Sequence, residues 1–468
     1  NNLDTLDLTN HTALVDLDCS GNPITSLDLS NNIALEKLIT SGNALGTIDV
    51  SNNVNLRELT CYANQLSSLD VSNNTSLELL RCSTNPISTL NLSNNIALTE
   101  LRAQNMSLTN LDLSVNINMT RVYCADNQLT NITFPASNTF NWLECQNNAL
   151  TSLDLSRVPS MFRLIASNNQ LDSLDFSGTR FLGAVRVDDN NLRHINLQNA
   201  IGMGYIYCGN NQLTSLDFSD CIGVREIYCP NNQLQQLIPP PAPTLWHVNC
   251  SFNQLQTLDL SIQDQLYSLR CQNNLLRHLN LIGLAPWFYS GTMFDATNNI
   301  YGLQICIQDT ANTGTAFWPK DPSAYFTPDC YPLGIVGEVV EDNNANCIND
   351  IADRSLGRQL IRIDQGSNTW YTSSNPNNGY YGAYLDTGSY SLSILPIPYW
   401  NPCVPTQSAT VAPNAVDTVD WTLQVTTLCP YLNANISAPF LRMTGGGSNY
   451  TVNYCNNGTA PAYGAYIE

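Results

Sequence analysis

The stretch Leu45–Gln65, LGTIDVSNNVNLRELTCYANQ, decides how this chain is read. Its first position recurs as Leu3, Ile24, Leu45, Leu66, Ile87, Leu108, Leu129, Leu150, Leu171, Leu192, Leu213, Leu234, Leu255 and Leu276, each 21 residues after the last. A fixed period of that size implies a solenoid, in which one repeat is one coil and gains its core only by stacking on its neighbours. Each unit has two halves. The first reads L-x-x-L-D-L-S, as in Ile24–Ser30; the second reads L-x-x-L-x-C-x-x-N, as in Leu56–Asn64. Alternation within each half is the period-2 signal of a short strand. Strands stacked about 4.8 Å apart would make fourteen coils roughly 65–70 Å long.

Two columns of the repeat point inward. Cys19, Cys61, Cys82, Cys124, Cys145, Cys208, Cys229, Cys250 and Cys271 share one phase, where Thr40, Ala103, Ala166 and Val187 stand in other coils. A column that accepts Thr, Ala and Val selects a small buried side chain, so these cysteines are expected to act as small hydrophobes. Three residues on lies an asparagine column, including Asn22, Asn43, Asn64, Asn85, Asn127 and Asn148 and broken by Met106. A buried Asn carries two donors and an acceptor, enough to satisfy backbone groups where the coil turns away from the strand. A third column is acidic: Asp7, Asp28, Asp49, Asp70, Asp112, Asp154, Asp175, Asp217 and Asp259. Two readings stand open for it, local acceptance from turn amides or a row of bound cations.

L-x-x-L-x-C-x-x-N repeated this often resembles the leucine-rich repeat superfamily. The 21-residue form, with ITSLDLSNN and C-x-x-N-Q, is similar to the repeats of secreted Bacteroidota surface proteins. The resemblance implies an all-β solenoid over residues 1–300, with the strands on a concave face, and a surface or secreted protein of the type IX secretion kind. The repeats themselves do not name a ligand, since function lives in surface residues and not in the framework.

The residues that vary on the strand face are informative. One column runs Asp18, Ile39, Thr60, Arg81, Arg102, Tyr123, Glu144, Ile165, Arg186, Tyr207, Tyr228, and the column two residues earlier includes Glu100, Arg121, Trp142, Arg163 and Tyr205. Arg and aromatic residues are enriched at binding hot spots. Arg81, Arg102, Arg121, Tyr123, Trp142, Arg163, Arg186, Tyr205, Tyr207 and Tyr228 are therefore the candidate ligand-binding set, for a protein or a glycan. The competing reading is cross-strand pairing of good β-formers.

The chain has 468 residues, 12% charged, with a net charge of −20. Such an acidic chain argues against nucleic-acid partners and against docking on anionic lipid. No run of about 18 apolar residues is present, so no membrane insertion is expected. The ends read as those of a piece cut from a longer mature protein. Residues 301–333, with Cys306, Trp318, Pro319, Tyr325, Phe326 and Cys330, lose the period and read as a cap, which a solenoid end requires. Cys306 and Cys330 are candidates for a disulfide there.

From Gly334 the sequence becomes strand runs broken by Gly, Pro and Asn, which suggests a β-sandwich over 334–428. It holds the run Asp342-Asn-Asn344-Ala-Asn346-Cys347-Ile348-Asn-Asp350-Ile-Ala-Asp353. Oxygen ligands at positions 1, 3, 5, 9 and 12, with a backbone carbonyl at 7, are calcium-loop spacing. Position 6 is Cys347 and position 12 is Asp, so it is no EF-hand. It resembles the calcium-loop B-type repeats of bacterial surface adhesins, which makes Asp342, Asn344, Asn346, Ile348, Asp350 and Asp353 the candidate metal set, with calcium in a stiffening role. An ion-free Asn/Asp-rich turn is the alternative. Cys347 with Cys403 is the expected disulfide. Cys429 opens a further unit, 429–468, which looks like the start of another β-domain of the secreted Bacteroidota kind.

No G-x-S-x-G, H-E-x-x-H or P-loop occurs, and the four histidines are scattered. The expectation is a non-enzymatic extracellular or cell-surface recognition or adhesion protein, partnered by a protein, a glycan or copies of itself. A structural subunit of a surface filament, sheath or lattice comes second, and an accessory region of a secreted enzyme third.

Overall fold

The computed structural model describes residues 2–284, 293–308, 318–328, 334–350, 353–357, 359–366, 368–374, 379–385, 387–395, 400–412, 416–425, 432–437 and 451–456. They belong to two compact units, Asn1–Pro328 and Asp329–Glu468.

The first unit is a solenoid of parallel three-residue strands. Glu58, Leu59 and Thr60 pair with Leu79, Leu80 and Arg81, and the same 21-residue step links strand after strand. Fourteen strands, from Asp16–Asp18 to Phe294–Asp295, form one continuous sheet. At the last step Leu269 pairs with Phe294, a separation of 294 − 269 = 25, so four residues are inserted there. The first half of the repeat forms smaller parallel ladders, as at Asn110–Asp112 with Asn131–Thr133. One of these runs through Thr257–Asp259, His278–Asn280, Gln304–Cys306 and Tyr325–Thr327, and so continues past residue 300. No helix occurs among the described residues.

Leucines and the cysteine column fill the interior. All nine ladder cysteines are buried free thiols. Burial pushes the thiols of Cys82, Cys124 and Cys250 up to about 12. They behave as small hydrophobes, held neutral by a site without water.

The asparagine column meets backbone groups of two coils at once. Asn85 Nδ2 donates to the carbonyls of Cys61 (3.0 Å) and Cys82 (2.9 Å), and its Oδ1 accepts from the N–H of Leu66 (3.1 Å). A second asparagine ladder escaped the sequence reading. Asn32, Asn53, Asn74, Asn95 and Asn116 are fully buried, and each Nδ2 clips two carbonyls of the preceding coil, as Asn74 does at Val50 (3.0 Å) and Asn53 (2.9 Å). Their phase is taken by Ser137, Thr179, Ala200 and Cys221 farther along, which dilutes the pattern.

The coil also needs a left-handed residue just before the first asparagine ladder. Gly21, Gly42, Asn105, Asp126, Asn147, Asn168, Asp189, Asn210, Asn231 and Asn273 supply it at positive φ, residue types that tolerate it well, while Ala63, Thr84 and Phe252 are held in the same conformation by the coil. The acidic column resolves to the local reading. Asp7, Asp28, Asp49, Asp70, Asp112, Asp154, Asp175, Asp217 and Asp259 each accept the N–H two residues on, at 2.9–3.1 Å. These bonds, from the Ser or Thr hydroxyl and amide, hold the Asp7, Asp49 and Asp154 carboxyls below the usual range.

At the C-terminal end of this unit, Trp318 stacks on Phe294 (4.6 Å between centroids) and meets Phe326 edge-on (5.7 Å), so aromatic rings close the core. Cys306 is disulfide-bonded; Cys330 lies outside the described residues.

The second unit has two main sheets. Gly334–Glu341 pairs antiparallel with Tyr380–Tyr384 and parallel with Trp421–Val425; Leu360–Gln365 lies between Asn368–Ser373 and Gly388–Ile394 in the other sheet. Ile335, Val339, Ile361, Ile363, Leu392, Trp421 and Leu423 are among the residues of its core. Of the expected unit at 429–468, Leu432–Ser437 pairs antiparallel with Thr451–Asn456; Cys429 and most of the rest lie outside the described residues.

Candidate functional site

The candidate residues lie on strands of the long sheet, on either side of a buried Leu, Val or Ile. Alternation puts both flanking side chains on the outward face. In Arg121–Tyr123, Val122 is buried while Arg121 is exposed and Tyr123 half-buried. Each coil therefore presents two side chains, and the 21-residue register aligns them with the next coil.

The structure brings most of this set into contact. The Arg102 guanidinium lies 4.9 Å from the Tyr123 ring centroid, and Arg163 lies 4.6 Å from that of Trp142. Tyr123 and Trp142 meet each other at 6.4 Å. The row Arg102, Tyr123, Trp142, Arg163 thus crosses four successive coils with the rings between two cations. A second group follows, with Arg186 4.6 Å from the Tyr207 centroid and Tyr207 5.7 Å from Tyr228. Such contacts are worth about 0.5–2 kcal/mol each, depending on desolvation.

Two glutamates brace the row. Glu100 Oε1 accepts from Arg102 Nε (2.8 Å) and Arg81 Nε (3.3 Å), and Glu144 Oε1 accepts from Trp142 Nε1 (2.9 Å). Arg81 also reaches Glu58 at 3.5 Å, so it is the most internally engaged of the arginines. Arg121 is exposed, and no ion pair among the described residues includes it. The Tyr207 hydroxyl donates to Glu226; burial and then that carboxylate push its pKa up to about 12. Tyr205 is half-buried beside these groups on the same strand as Tyr207.

A solved structure shows the same architecture. The functional domain of InlJ from Listeria monocytogenes, which includes a cysteine ladder, matches with a TM-score of 0.52 at 24% identity, over 79% of this chain and 90% of that one. The fold is that of the leucine-rich repeat solenoids. The leucine-rich effector YopM from Yersinia pestis matches at TM-score 0.48 and 24% identity, over 57% of this chain and 74% of that one. An internalin, InlF, from Listeria monocytogenes matches at 0.46 and 20%, over 67% and 87%. No family model matches the chain, and no curated protein does.

The sequence reading of this leucine-rich repeat face missed one column, the residue just before each strand. It holds Phe162 (53% exposed), Arg225, Trp246 (41%) and Tyr267 (52%). Arg225 lies 5.0 Å from the Trp246 centroid, and Tyr267 meets His247 edge-on at 5.8 Å. The signal was present, since both residues between the two leucines of L-x-x-L-x-C stay outside. Glycines stand at the same phase where a side chain would collide: a Cβ on Gly183 would lie 2.6 Å from the Phe162 ring, and one on Gly204 2.9 Å from the Gly183 carbonyl oxygen.

In the second unit hydrogen bonds link the proposed metal residues along the loop, but the carboxylates of Asp342, Asp350 and Asp353 do not gather at one point; among the described residues, the ligand atoms that lie within 4.8 Å of one another are those of Asp342, Cys347 and Cys403. Asn344 Nδ2 and Asn346 Nδ2 both donate to Asp350 Oδ2 (2.9 and 3.0 Å). Asp353 accepts from the N–H groups of Asn343 (3.0 Å) and Asp350 (3.2 Å). Asp342 accepts from the N–H groups of Asn346 and Cys347 and from Gln424 Nε2. Burial alone would raise the Asp342 carboxyl, but these donors outweigh it and hold it below the usual range. Ile348 contributes its N–H to Asn346 Oδ1 (2.8 Å), and its side chain is exposed. The loop is pinned by a disulfide between Cys347 and Cys403.

Proposed function

We propose that this chain is an extracellular or cell-surface recognition protein that binds a protein partner through the outward face of the long sheet, without catalysis. The observation that carries the reading is the braced Arg–aromatic row on Arg102, Tyr123, Trp142 and Arg163. Side chains held by their neighbours lose little freedom on binding, which is how hot spots gain affinity. The Cys347–Cys403 disulfide supports an oxidising compartment. The finer reading places the chain among secreted Bacteroidota surface proteins, with residues 301–333 as cap, 334–428 as an adhesin-like sandwich and 429–468 opening another domain.

The test is an array of extracellular proteins and glycans probed with the full chain and with a Trp142→Ala/Tyr207→Ala variant. Hits on proteins that fall at least about tenfold in the variant, at unchanged Tm, support the reading. Hits indifferent to the change remove the sheet face from it.

A second reading, assembly of copies into a surface filament or lattice, is favoured by one observation. Ile33, Val54, Ile96 and Ile117 share one repeat phase and are 50–58% exposed. Concentration-dependent sedimentation that Ile96→Ser/Ile117→Ser abolishes would establish it.

The loop at 342–353 is proposed to hold calcium in a stiffening role. The two amide nitrogens aimed at Asp350 stand where a cation's charge would go. Asp342, Asp350 and Asp353 would supply carboxylates and Asn344, Asn346 and the Ile348 carbonyl neutral oxygens. Millimolar calcium is expected to raise the unfolding temperature of the second unit by several degrees, and Asp350→Ala to abolish the shift. Equal melting curves with calcium and with chelator would leave the loop an ion-free turn.

A further inference from the structure

We infer that the partner seated on the sheet face is an acidic segment of polypeptide, bound in extended form by carboxylate-to-guanidinium pairing. This deepens the protein-recognition reading above and rests on it. Charge is the first argument. On the six strands from Leu79–Arg81 to Ala184–Arg186 the outward residues include five arginines (Arg81, Arg102, Arg121, Arg163, Arg186) and two glutamates (Glu100, Glu144), a local balance of 5 − 2 = +3. The whole chain carries −20. A cationic island in an acidic surface draws acidic partners to one place and repels them elsewhere.

The aromatic rings supply the second argument, against a sugar ligand. A sugar stacks its C–H face on an open ring. Here the Tyr123, Trp142 and Tyr207 rings each have a guanidinium of this chain over them, within 4.6–4.9 Å. Those three rings are spent on orienting arginines; of the other exposed rings, Tyr228 and Tyr267 lie beyond these six strands and Phe162 stands just before one of them. Glutamates complete the arrangement: Arg102 gives its Nε to Glu100, and the Arg163 Nε is buried without a hydrogen-bond partner, 3.9 Å from Glu144. The terminal nitrogens of these stacked guanidiniums remain for an incoming carboxylate, which they match two bonds at a time.

Spacing is the third argument. Five coil steps separate Arg81 from Arg186, about 24 Å at about 4.8 Å per step. An extended peptide of about seven residues spans that length; its alternate side chains, about 7 Å apart, fall between the one-coil and two-coil spacings of about 4.8 and about 9.6 Å, a difference the long arginine side chains take up.

The experiment selects random linear peptides displayed on phage against the full chain, an Arg102→Ser/Arg163→Ser variant, and a control, Arg157→Ser/Arg193→Ser, with equal charge change off the face. Synthetic octaglutamate and a heparin-derived hexasaccharide are then titrated against all three. The expected result is enrichment of Asp and Glu on the full chain and the control. Octaglutamate should bind both, weaken at least about tenfold in the Arg102/Arg163 variant, and weaken again as salt rises. Selected peptides without acidic enrichment, lost in the Arg102/Arg163 variant, overturn the acidic partner and leave protein recognition standing. Binding of the hexasaccharide alone, or of nothing that depends on the face, overturns both.

Discussion

Raising the pH from about 8 to about 10 is expected to unfold the solenoid in one cooperative step, followed by circular dichroism. The cause is the cysteine ladder. In the unfolded chain a thiol ionises near pH 8.5–9. In the folded chain burial holds Cys82, Cys124 and Cys250 protonated up to about 12, and Cys61, Cys145, Cys229 and Cys271 are raised well above the usual value by the same burial. Above the unfolded pKa the native state therefore binds more protons than the unfolded state, so stability falls as pH rises. This contribution is intact below about pH 8 and is lost progressively from there toward the folded pKa. Each thiol costs roughly 1.5–2 kcal/mol at pH 10. These seven thiols unfolding together cost on the order of 12 kcal/mol, as much as a whole domain's stability. Replacing Cys208, Cys229, Cys250 and Cys271 by Ala should move the alkaline midpoint upward, although it lowers stability at pH 7. An alkaline midpoint unmoved by that change would show that the ladder does not set it. Ellman's reagent should find the ten buried thiols that are free among the described residues silent until the transition.

Replacing Asn85 by Ala is expected to cost about 2–6 kcal/mol in denaturant unfolding. The side chain is the partner of the Leu66 N–H and the Cys82 carbonyl, both where water does not reach, and shares the Cys61 carbonyl with Asn64 Nδ2 (3.0 Å), so two groups are left unpaired. Each buried polar group left unpaired costs about 1–3 kcal/mol. Asn94 is the control. Its side chain donates to the Ser72 carbonyl at 3.0 Å in an exposed setting, where water replaces it, so Asn94→Ala should stay within about 0.5 kcal/mol. Equal losses at the two positions would mean that the ladder adds nothing beyond a surface hydrogen bond.

The contrast between these two asparagines shows how far the repeat could be read. Asn85 stood out because its column is almost unbroken, and an unbroken polar column inside an apolar pattern means a backbone duty at every coil. Asn74 belongs to an equally buried ladder, yet its column gives way to Ser137, Thr179, Ala200 and Cys221, and a diluted column looks like surface. The acidic column was legible as a column only. That Asp49 turns to its own Ser51 amide is decided by the path of the coil after the strand. In the second unit the oxygen spacing from Asp342 to Asp353 was readable, but which atoms of Asn344 and Asn346 turn inward depends on the closed loop.

The sequence alone determined the period, the parallel in-step register and the inward Leu, Cys and Asn columns, because one coil stacked on the next forces equivalent residues to coincide. Only the tertiary structure decided that Arg102 and Arg163 enclose Tyr123 and Trp142, and that Trp246 and Tyr267 extend the exposed aromatic surface. A period places side chains in the same column. It does not choose their rotamers, and those are settled by what the neighbouring coils offer as partners.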